Sequence, residues 1–265
     1  MQLDFAEATD RGRVRDHNED YLGCALPEAA EREHSHGWLF VLADGVGGQE
    51  KGEVASRIAV ETLLADFHGA ARDQPLRSLL PRLVQSANEK VYAAGLAAKP
   101  RGAPMATTLV ACALRHDRAV VSHVGDSRCY LIRGGRARGI TRDHTMVSEQ
   151  ARLGLISDRE AAEAETRHVL TRSLGSAMFV GVDTAEHMML AGDILLLCSD
   201  GLHGAIPAGA IADIVTPAVD LNVAARQLID AANEKDGGDN VSVQLIRVRS
   251  IERIGMYRGR PYKLA

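Results

Sequence analysis

The middle of the chain contains a run of short apolar segments joined by tight polar turns. The apolar segments are 107–114, 119–124 and 128–133. The connections at 115–118 and 133–136 are rich in charged residues and glycine. Connections this short join antiparallel neighbours, because a parallel pair needs a crossover of about a dozen residues or more. The chain is therefore predicted to build at least one antiparallel sheet.

Further strands and three helices complete the predicted element order. Alternating or short apolar runs also predict strands at 3–9, 38–43, 184–190, 193–198 and 241–248. The helical spacing of apolar residues predicts helices around 60–67, 76–91 and 221–229. This order lacks the strict strand–helix alternation of a doubly wound sheet. It fits an α+β fold in which helices cover the outer faces of two antiparallel sheets.

The composition is that of a single globular domain. Of 265 residues, 46% are hydrophobic and 25% are charged, so a sizeable core is available. The net charge of -4 argues against non-specific nucleic-acid binding. No apolar run has membrane-spanning length, and no signal-peptide pattern opens the sequence. Four scattered cysteines favour reduced thiols in a core. We expect a cytoplasmic protein without nucleic-acid binding or membrane insertion.

Aspartates stand where the predicted strands end. Asp44, Asp126 and Asp200 each follow an apolar run, and Asp239 comes just before the last predicted strand. Any one of them, taken singly, is more often an ordinary turn or cap residue, and Asp-Gly is a common turn dipeptide. Four acids at strand ends, two of them followed by glycine, indicate a rim of hard oxygen ligands. Such a rim suits magnesium or manganese.

A second charged segment, residues 12–20, mixes arginines with carboxylates beside the first predicted strand. Arginine binds phosphate through paired N–H groups, whereas carboxylates bind cations. The mixture therefore suits a site that holds a metal and a phosphate side by side. Taken alone, the segment could equally be a solvated charged loop, and its composition favours that interpretation.

Eight segments, in order, are similar to motifs of the type 2C (PPM) metal-dependent serine/threonine protein phosphatases. They are TDRGRVRDHNED (9–20), FVLADGVGGQEKGEVAS (40–56), ATTLV (106–110), VGDSRCYLIR (124–133), TRDHT (141–145), TRSLG (171–175), GDILLLCSDGL (192–202) and GGDNVSVQLIRV (237–248). Each motif is weak, but eight in order over about residues 3–249 are highly specific. The resemblance implies an α+β, four-layer αββα sandwich of two antiparallel sheets flanked by helices.

The same resemblance implies a cluster of Mn²⁺ or Mg²⁺ ions, two of them in the core of the site. By position, Asp44 would bridge these two ions, and Gly45 would bind one of them through its carbonyl oxygen. Asp200 and Asp239 would complete the ligands of the first ion.

The remaining implied site residues lie in two motifs. Glu19 and Asp20 would act on the metals directly or through bound water. Asp126, with help from Asp200, would hold a third, weaker ion. Arg15 would bind the substrate phosphate. A metal-activated water would then attack phosphorus, with Arg15, Asp44 and Asp200 as the catalytic residues.

The chain departs from the family pattern at Val46. Eukaryotic members place a histidine there, proposed as a general acid, and bacterial members commonly have methionine, so the chain resembles the bacterial type. The proton donor to the leaving group is therefore left open among a metal-bound water, His144 and His203. Ala106 replaces a usual glycine, a change too small to threaten the site.

The resemblance implies an enzyme that removes phosphate from phosphoserine and phosphothreonine in proteins. Its partners would be phosphorylated proteins, among them a bacterial serine/threonine kinase and the substrates of that kinase, and we expect a monomer. One alternative is a catalytically silent binding module, which predicts lost ligands, whereas every expected acid is present. A hydrolase for another phosphate ester is the second alternative. The motifs account for the binding of the phosphate and the metals, but they do not distinguish what the phosphate is attached to.

Two boundaries are predicted. Residues 1–250 would form the phosphatase catalytic domain, in which 142–170 corresponds to the flap of the family and has an exposed, charged composition. Residues 251–265 would form a basic C-terminal extension. A solvated tail is the favoured interpretation of this extension, and a docking contact with an acidic partner or a phosphoprotein is the alternative.

Overall fold

The structure, a computed structural model, describes residues 1–27, 37–46, 51–71, 74–98, 105–251, 254–257 and 260–263. Its strands are β1 (Gln2–Asp10), β2 (Asp20–Ala25), β3 (Trp38–Asp44), β4 (Leu109–Arg115), β5 (Arg118–Val124), β6 (Arg128–Arg133), β7 (Arg136–Gly139), β8 (Asp183–Met188), β9 (Ile194–Cys198), β10 (Val241–Ser250), β11 (Ile254–Tyr257) and β12 (Arg260–Lys263). Its helices are α1 (Gly52–Gly69), α2 (Leu76–Ala98), α3 (Met146–Arg152), α4 (Asp158–Glu163), α5 (Asp200–His203), α6 (Ala208–Val215) and α7 (Leu221–Lys235).

Two five-stranded sheets form the centre of the molecule. The first has the strand order β1-β10-β9-β6-β7, and the second has the order β2-β3-β4-β5-β8. Every described pair of neighbouring strands is antiparallel. The short connections that predicted antiparallel pairing join β4 to β5 and β6 to β7.

The two sheets divide the core into three layers of buried side chains. Along β3, Phe40 and Leu42 face the first sheet, whereas Leu39 and Val41 pack against α1 and α2. Strand β9 alternates in the same way between the second sheet and helices α6 and α7. Central strands are thus apolar on both faces, which explains their continuous apolar runs. The predicted α+β, four-layer αββα sandwich is confirmed.

Two edge strands were absent from the prediction. Strand β2 mixes polar and apolar residues because it pairs only with β3 and its middle is half-buried. Its Gly23 packs closely against α1, since a Cβ atom there would lie 2.7 Å from Leu64 Cδ1 and the Leu64 side chain would have to move. Strand β7 has the sequence RARG and is mostly exposed, so no apolar alternation marks it.

The segment predicted as an exposed cover contains two short helices. Thr145 caps α3 by accepting a hydrogen bond from the Ser148 amide, and Ser157 and Glu160 form a capping box at α4. In α3 only Val147 is buried. We call residues 142–170 the flap. Its helices are held by caps and a few contacts rather than by a core of their own.

Strand β10 ends at Ser250. Beyond it, β11 and β12 pair as a two-stranded antiparallel sheet separate from the two large sheets. None of the helices in the described part of the chain has the length and apolar character needed to span a bilayer.

Candidate metal and phosphate site

Five aspartates meet at one end of the sheets. Asp44 is the last residue of β3, and Asp20, which begins β2, is its partner in the strand register. Asp126 lies between β5 and β6, Asp200 begins α5 directly after β9, and Asp239 comes just before β10. The charges of the other four all act on the Asp44 carboxyl group. The fold thus brings together the aspartates that the sequence places at strand ends.

Burial and mutual repulsion disfavour the ionised form of most of these acids. Burial, reinforced by neighbouring aspartates, raises the pKa of Asp20 to about 7 and that of Asp126 to about 7. The same two causes raise the pKa of Asp44 well above its ordinary value, and they also raise the pKa of Asp239. Since carboxylates this close repel one another, the cluster is stabilised by any cation that enters it.

The donor atoms fit a hard divalent cation. All five aspartates offer oxygen, the donor that Mg²⁺ and Mn²⁺ prefer. Asp20 Oδ2 accepts a hydrogen bond from Ser199 Oγ at 2.8 Å, but Oδ1 is buried and no described residue donates to it. The Gly45 carbonyl oxygen also receives no hydrogen bond from a described residue. A buried acceptor left in this way costs about 1–3 kcal/mol, so both oxygens fit a metal or its bound water.

Two threonines fix the backbone at Asp44. The Asp44 carbonyl accepts hydrogen bonds from the Thr108 amide at 2.8 Å and from Thr107 Oγ1 at 2.7 Å. The Asp44 amide donates to Thr108 Oγ1 at 3.1 Å. At Gly45 an added Cβ would lie 2.4 Å from the backbone of Gly52, so only glycine allows α1 to begin this close. The position of Asp44 is therefore fixed by its main chain and does not depend on contacts of its carboxylate.

Asn240, which the sequence reasoning did not single out, organises the charged segment 12–20. Its Oδ1 accepts a hydrogen bond from the Glu19 amide at 2.8 Å. Its Nδ2 donates to the carbonyl oxygens of Arg11 and His17, each at 2.9 Å. The Glu19 carbonyl in turn accepts from Ser56 Oγ at 2.6 Å. The segment is therefore an anchored loop rather than the solvated one that its composition favoured.

We expect Asn240→Ala to loosen this loop. Three backbone groups lose their partner, so the free energy of unfolding should fall by about 2–4 kcal/mol. Phosphate release should fall by roughly 10- to 100-fold in kcat/KM, because the loop carries Arg15 and Glu19. Denaturant unfolding and steady-state kinetics measure both effects. Asn222→Ala is the matched control, since Asn222 is exposed and its side chain hydrogen-bonds, among the described residues, to Asp220 alone. Wild-type values for Asn240→Ala would contradict the assignment.

Arg15 reaches the same cluster from this loop. Its Nη2 donates to Asp239 Oδ2 at 2.8 Å, and the pair is partly exposed. No other described acceptor is bound by its remaining N–H groups, so part of the guanidinium fork is available for a phosphate. The Glu19 carboxylate lies close to Gly52 at the start of α1, and burial raises its pKa. Glu19 thus stands at the edge of the aspartate cluster.

Neither histidine considered as a proton donor is free. His144 is buried, accepts a hydrogen bond from the Gly125 amide through Nδ1, and lies 3.3 Å from Asp183 through Nε2. His203 Nε2 bonds the Asp126 carbonyl at 3.0 Å, and burial lowers the pKa of His203 to about 4. A histidine that does lie beside a site carboxylate in the described part of the chain is His168, which the sequence reasoning missed. Its Nδ1 lies 3.5 Å from Asp200 Oδ2.

A second group of potential ligands lies behind Asp126. The donor atoms of His123, His144 and Asp183 lie within 4.8 Å of one another. The Arg172 guanidinium already occupies this place, with Nη1 at 2.9 Å from Asp183 and 3.4 Å from His144 Nε2. His123 Nε2 also contacts the Arg142 carbonyl at 2.7 Å. The group therefore joins the flap to β5 and β8, and an arginine supplies its positive charge.

Manganese should stabilise the protein more at pH 8 than at pH 6. The folded-state pKa values of Asp20 and Asp126 are raised from 3.8 to about 7. The metal-free protein therefore loses stability as the pH rises from about 4 to about 7, and the full cost remains above pH 7. A cation removes this cost, whereas protons compete with it below pH 7. We expect a Mn²⁺-induced rise in melting temperature of about 5–10 °C at pH 8 and a smaller one at pH 6. Differential scanning calorimetry after chelation tests this, and equal rises would contradict it.

Comparison with known proteins gives consistent similarities. The sequence profile of the family described as "Protein phosphatase 2C" matches residues 13–231. The chain is 34% identical over 256 residues to the serine/threonine phosphatase stp of Listeria innocua, covering 95% of this chain and 96% of that protein. The Mycobacterium tuberculosis serine/threonine phosphatase PstP/Ppp matches with a TM-score of 0.82 and 31% identity, over 94% of this chain and 99% of that one.

One solved structure also contains metal. The catalytic domain of PstP in complex with 2 manganese ions matches with a TM-score of 0.80 and 31% identity, over 94% of this chain and 99% of that one. The similarity therefore extends over nearly the whole chain rather than over a single motif.

Proposed function

Because the chain belongs to the protein phosphatase 2C family and is a metal-dependent serine/threonine phosphatase of bacterial type, we propose that it opposes a serine/threonine kinase of the same cell. Its substrates are phosphorylated proteins, and its cofactors are Mn²⁺ or Mg²⁺ ions. The observation that carries the proposal is the cluster of five buried or half-buried aspartates beside a partly unengaged arginine. Such a site binds cations and a phosphate together.

The proposed metal ligands follow from the positions of their oxygens. Asp44 lies among the other four aspartates, so its carboxylate would help to hold both core ions. The Gly45 carbonyl oxygen and the carboxylates of Asp200 and Asp239 would be further ligands of the first ion. Glu19 and Asp20 act directly or through water, and the unpaired Asp20 Oδ1 supports this role.

A third ion is assigned to the neighbouring part of the cluster. The Asp200 charge helps to raise the pKa of Asp126, so a cation held by Asp126 would also be attracted by Asp200. The His203 side chain bonds the carbonyl oxygen of Asp126 and so helps to fix the Asp126 backbone.

The chain's own residues bind and orient the substrate. When bound, the ions supply an acidified water and neutralise charge on the phosphoryl oxygens. Arg15 binds the phosphate through its remaining N–H groups, which fixes the phosphorus relative to the aspartates. Asn240 keeps the Arg15 loop in position, and Thr107 and Thr108 keep Asp44 in position. Because these contacts exist without substrate, the site is preorganised.

Several finer assignments belong to the same proposal. All four cysteines are free thiols, three of them buried, which fits the reducing environment of the cytoplasm. We assign residues 1–250 to a catalytic domain and residues 251–265 to a basic extension, and we expect the protein to act as a monomer.

A phosphate-release assay tests the function. The protein is incubated with phosphothreonine and phosphotyrosine peptides and with an autophosphorylated bacterial serine/threonine kinase, with manganese or with a chelator. We expect release from the phosphothreonine peptide and the kinase, dependence on manganese, and loss of activity in Asp200→Asn. Asp213→Asn, which changes an exposed aspartate of α6, is the matched control.

The possible results separate the alternatives. Activity that survives chelation, or that is indifferent to Asp200→Asn, would overturn the metal mechanism. Activity confined to small phosphate esters would favour a metabolite hydrolase, and a kinase that keeps its phosphate would contradict the proposed opposition.

A further inference from the structure

A cavity of about 590 Å³ lies between the flap and the aspartate cluster. Asp126 and Asp200 line one side of it, and α3 and α4 of the flap line the other through small residues such as Ala151 and Ala161. Its volume lies within the range of about 300–1,000 Å³ that is usual for sites of small ligands. Because the lining residues Asp126 and Asp200 are proposed metal ligands, the cavity is continuous with the place where the phosphate is cleaved.

The side chains that line the cavity are net positive when the two proposed metal ligands are left out of the count. Four arginines and three aspartates line it. Arg128 is neutralised by Asp143, which it binds through two hydrogen bonds of 2.8 and 2.7 Å. Arg152 is paired with Glu149 at 2.9 Å. The other two lining aspartates are the proposed metal ligands.

Within the part of the chain that the structure describes, no ion pair neutralises Arg142 or Arg167. Both line the cavity, both are exposed, and neither forms an ion pair or a side-chain hydrogen bond with any residue that the structure describes. Arg142 is also fixed at its backbone, because its carbonyl contacts buried His123 at 2.7 Å. Two unpaired guanidinium groups in a concave site favour an anionic ligand with oxygen acceptors.

We propose that this cavity binds an anionic side chain of the substrate, a carboxylate or a second phosphate, close in sequence to the phosphoresidue that is cleaved. Arg142 and Arg167 are its specificity residues. A cavity of about 590 Å³ is about 8–10 Å across, and an extended peptide advances about 3.3–3.6 Å per residue. We therefore place the anionic residue within about three positions of the cleaved one. The inference rests on the proposed function, since it names a substrate class for the same site.

Matched peptides test this preference. One phosphothreonine peptide has neutral flanks, a second set carries a single glutamate at each of the three positions on either side, and a third carries a second phosphothreonine instead. We expect kcat/KM with manganese to be about tenfold higher for the best anionic peptide than for the neutral one, mainly through a lower KM. Preference for the glutamate set or for the doubly phosphorylated set identifies the source of the anion.

Substitutions in the flap locate the effect. Arg142→Gln and Arg167→Gln should each remove most of the preference while leaving kcat/KM for the neutral peptide within about twofold. Arg142→Glu should reverse the preference towards a peptide with lysine flanks, which mere loosening of the flap would not do. Arg159→Gln is the control on the same flap, because Arg159 is 86% exposed, pairs with Glu163 and does not line the cavity.

The outcomes are distinguishable from failure of the proposed function. No manganese-dependent release from any peptide would overturn both conclusions. Release with equal kcat/KM for neutral and anionic peptides would overturn only the inference. The inference would also be overturned by a preference that persists in both arginine variants, or by an equal loss of kcat/KM on neutral and anionic peptides. In either case the arginines would not recognise the flanking charge.

Discussion

Asp44→Asn is expected to lower manganese-dependent phosphate release by roughly a thousandfold. The Asp44 carboxyl lies in the middle of the cluster, where the charges of the other four aspartates act on it. An amide keeps the shape of the side chain but removes the negative charge that is proposed to bridge two ions. Steady-state kinetics on a phosphothreonine peptide at saturating manganese measures the loss.

The same substitution is expected to stabilise the metal-free protein. Burial and repulsion raise the pKa of Asp44 well above its ordinary value, so its ionisation works against the folded state at pH 8. The contacts with Thr107 and Thr108 use the Asp44 backbone and survive the change. We expect the metal-free melting temperature to rise by about 2–4 °C for each kcal/mol of relieved repulsion, and the manganese-induced rise to disappear.

Lost activity combined with gained stability separates a functional acid from a structural one. Asp117→Asn is the control, since Asp117 lies in the turn between β4 and β5, its side chain is 42% exposed, and its ion pair among the described residues is with Arg118 at 3.5 Å. It should change neither the activity nor the response to manganese. An Asp44→Asn protein that is less stable than the wild type and still responds to manganese would refute the assignment.

The fold could be predicted because a buried strand has a local run of apolar residues that is visible in the sequence. A strand between two layers, such as β9 with its run Ile194–Cys198, is apolar on both faces, and the run is visible without knowledge of its neighbours. Edge strands carry no such signal. Strand β7 was missed because its side chains are charged or small and mostly exposed, and only pairing with β6 makes it a strand.

The site was predictable where a residue type and a strand end coincide. The aspartates could be found because each is an acidic residue at the end of a predicted strand. Their individual roles were predicted from the ordered family motifs. Asn240 has no such signal, because its importance comes from bonds to Arg11 and His17, which are 229 and 223 residues away in the chain. His168 was missed for the same reason, since only the folded flap brings it to Asp200. Contacts across such distances depend on the whole topology.

Arg15→Gln is expected to lower kcat/KM by roughly a hundredfold. Arg15 uses one nitrogen for Asp239, and its other N–H groups are not engaged by a described residue. Glutamine removes both the charge and the forked geometry. Arg15→Lys keeps the charge but loses the paired N–H groups, so its loss should be smaller, about tenfold. The binding of inorganic phosphate as a competitive inhibitor should weaken in the same order.

The response to manganese distinguishes this role from that of the aspartates. The pair of Arg15 and Asp239 is partly exposed, with side-chain exposures of 43% and 38%. Such a pair contributes about 0–1 kcal/mol, so its loss should leave the melting temperature almost unchanged. Manganese should still stabilise Arg15→Gln, whereas it should no longer stabilise Asp44→Asn.

The neighbouring arginine provides the control. Arg13 lies on the same loop, is exposed and has no described ion pair, so Arg13→Gln changes the loop charge equally without touching the cluster. If the positive charge of the loop as a whole were enough to attract the substrate phosphate, the two variants would lose the same activity. If Arg15 binds the phosphate directly, only Arg15→Gln loses affinity for inorganic phosphate. Equal losses in the two variants would therefore contradict direct binding.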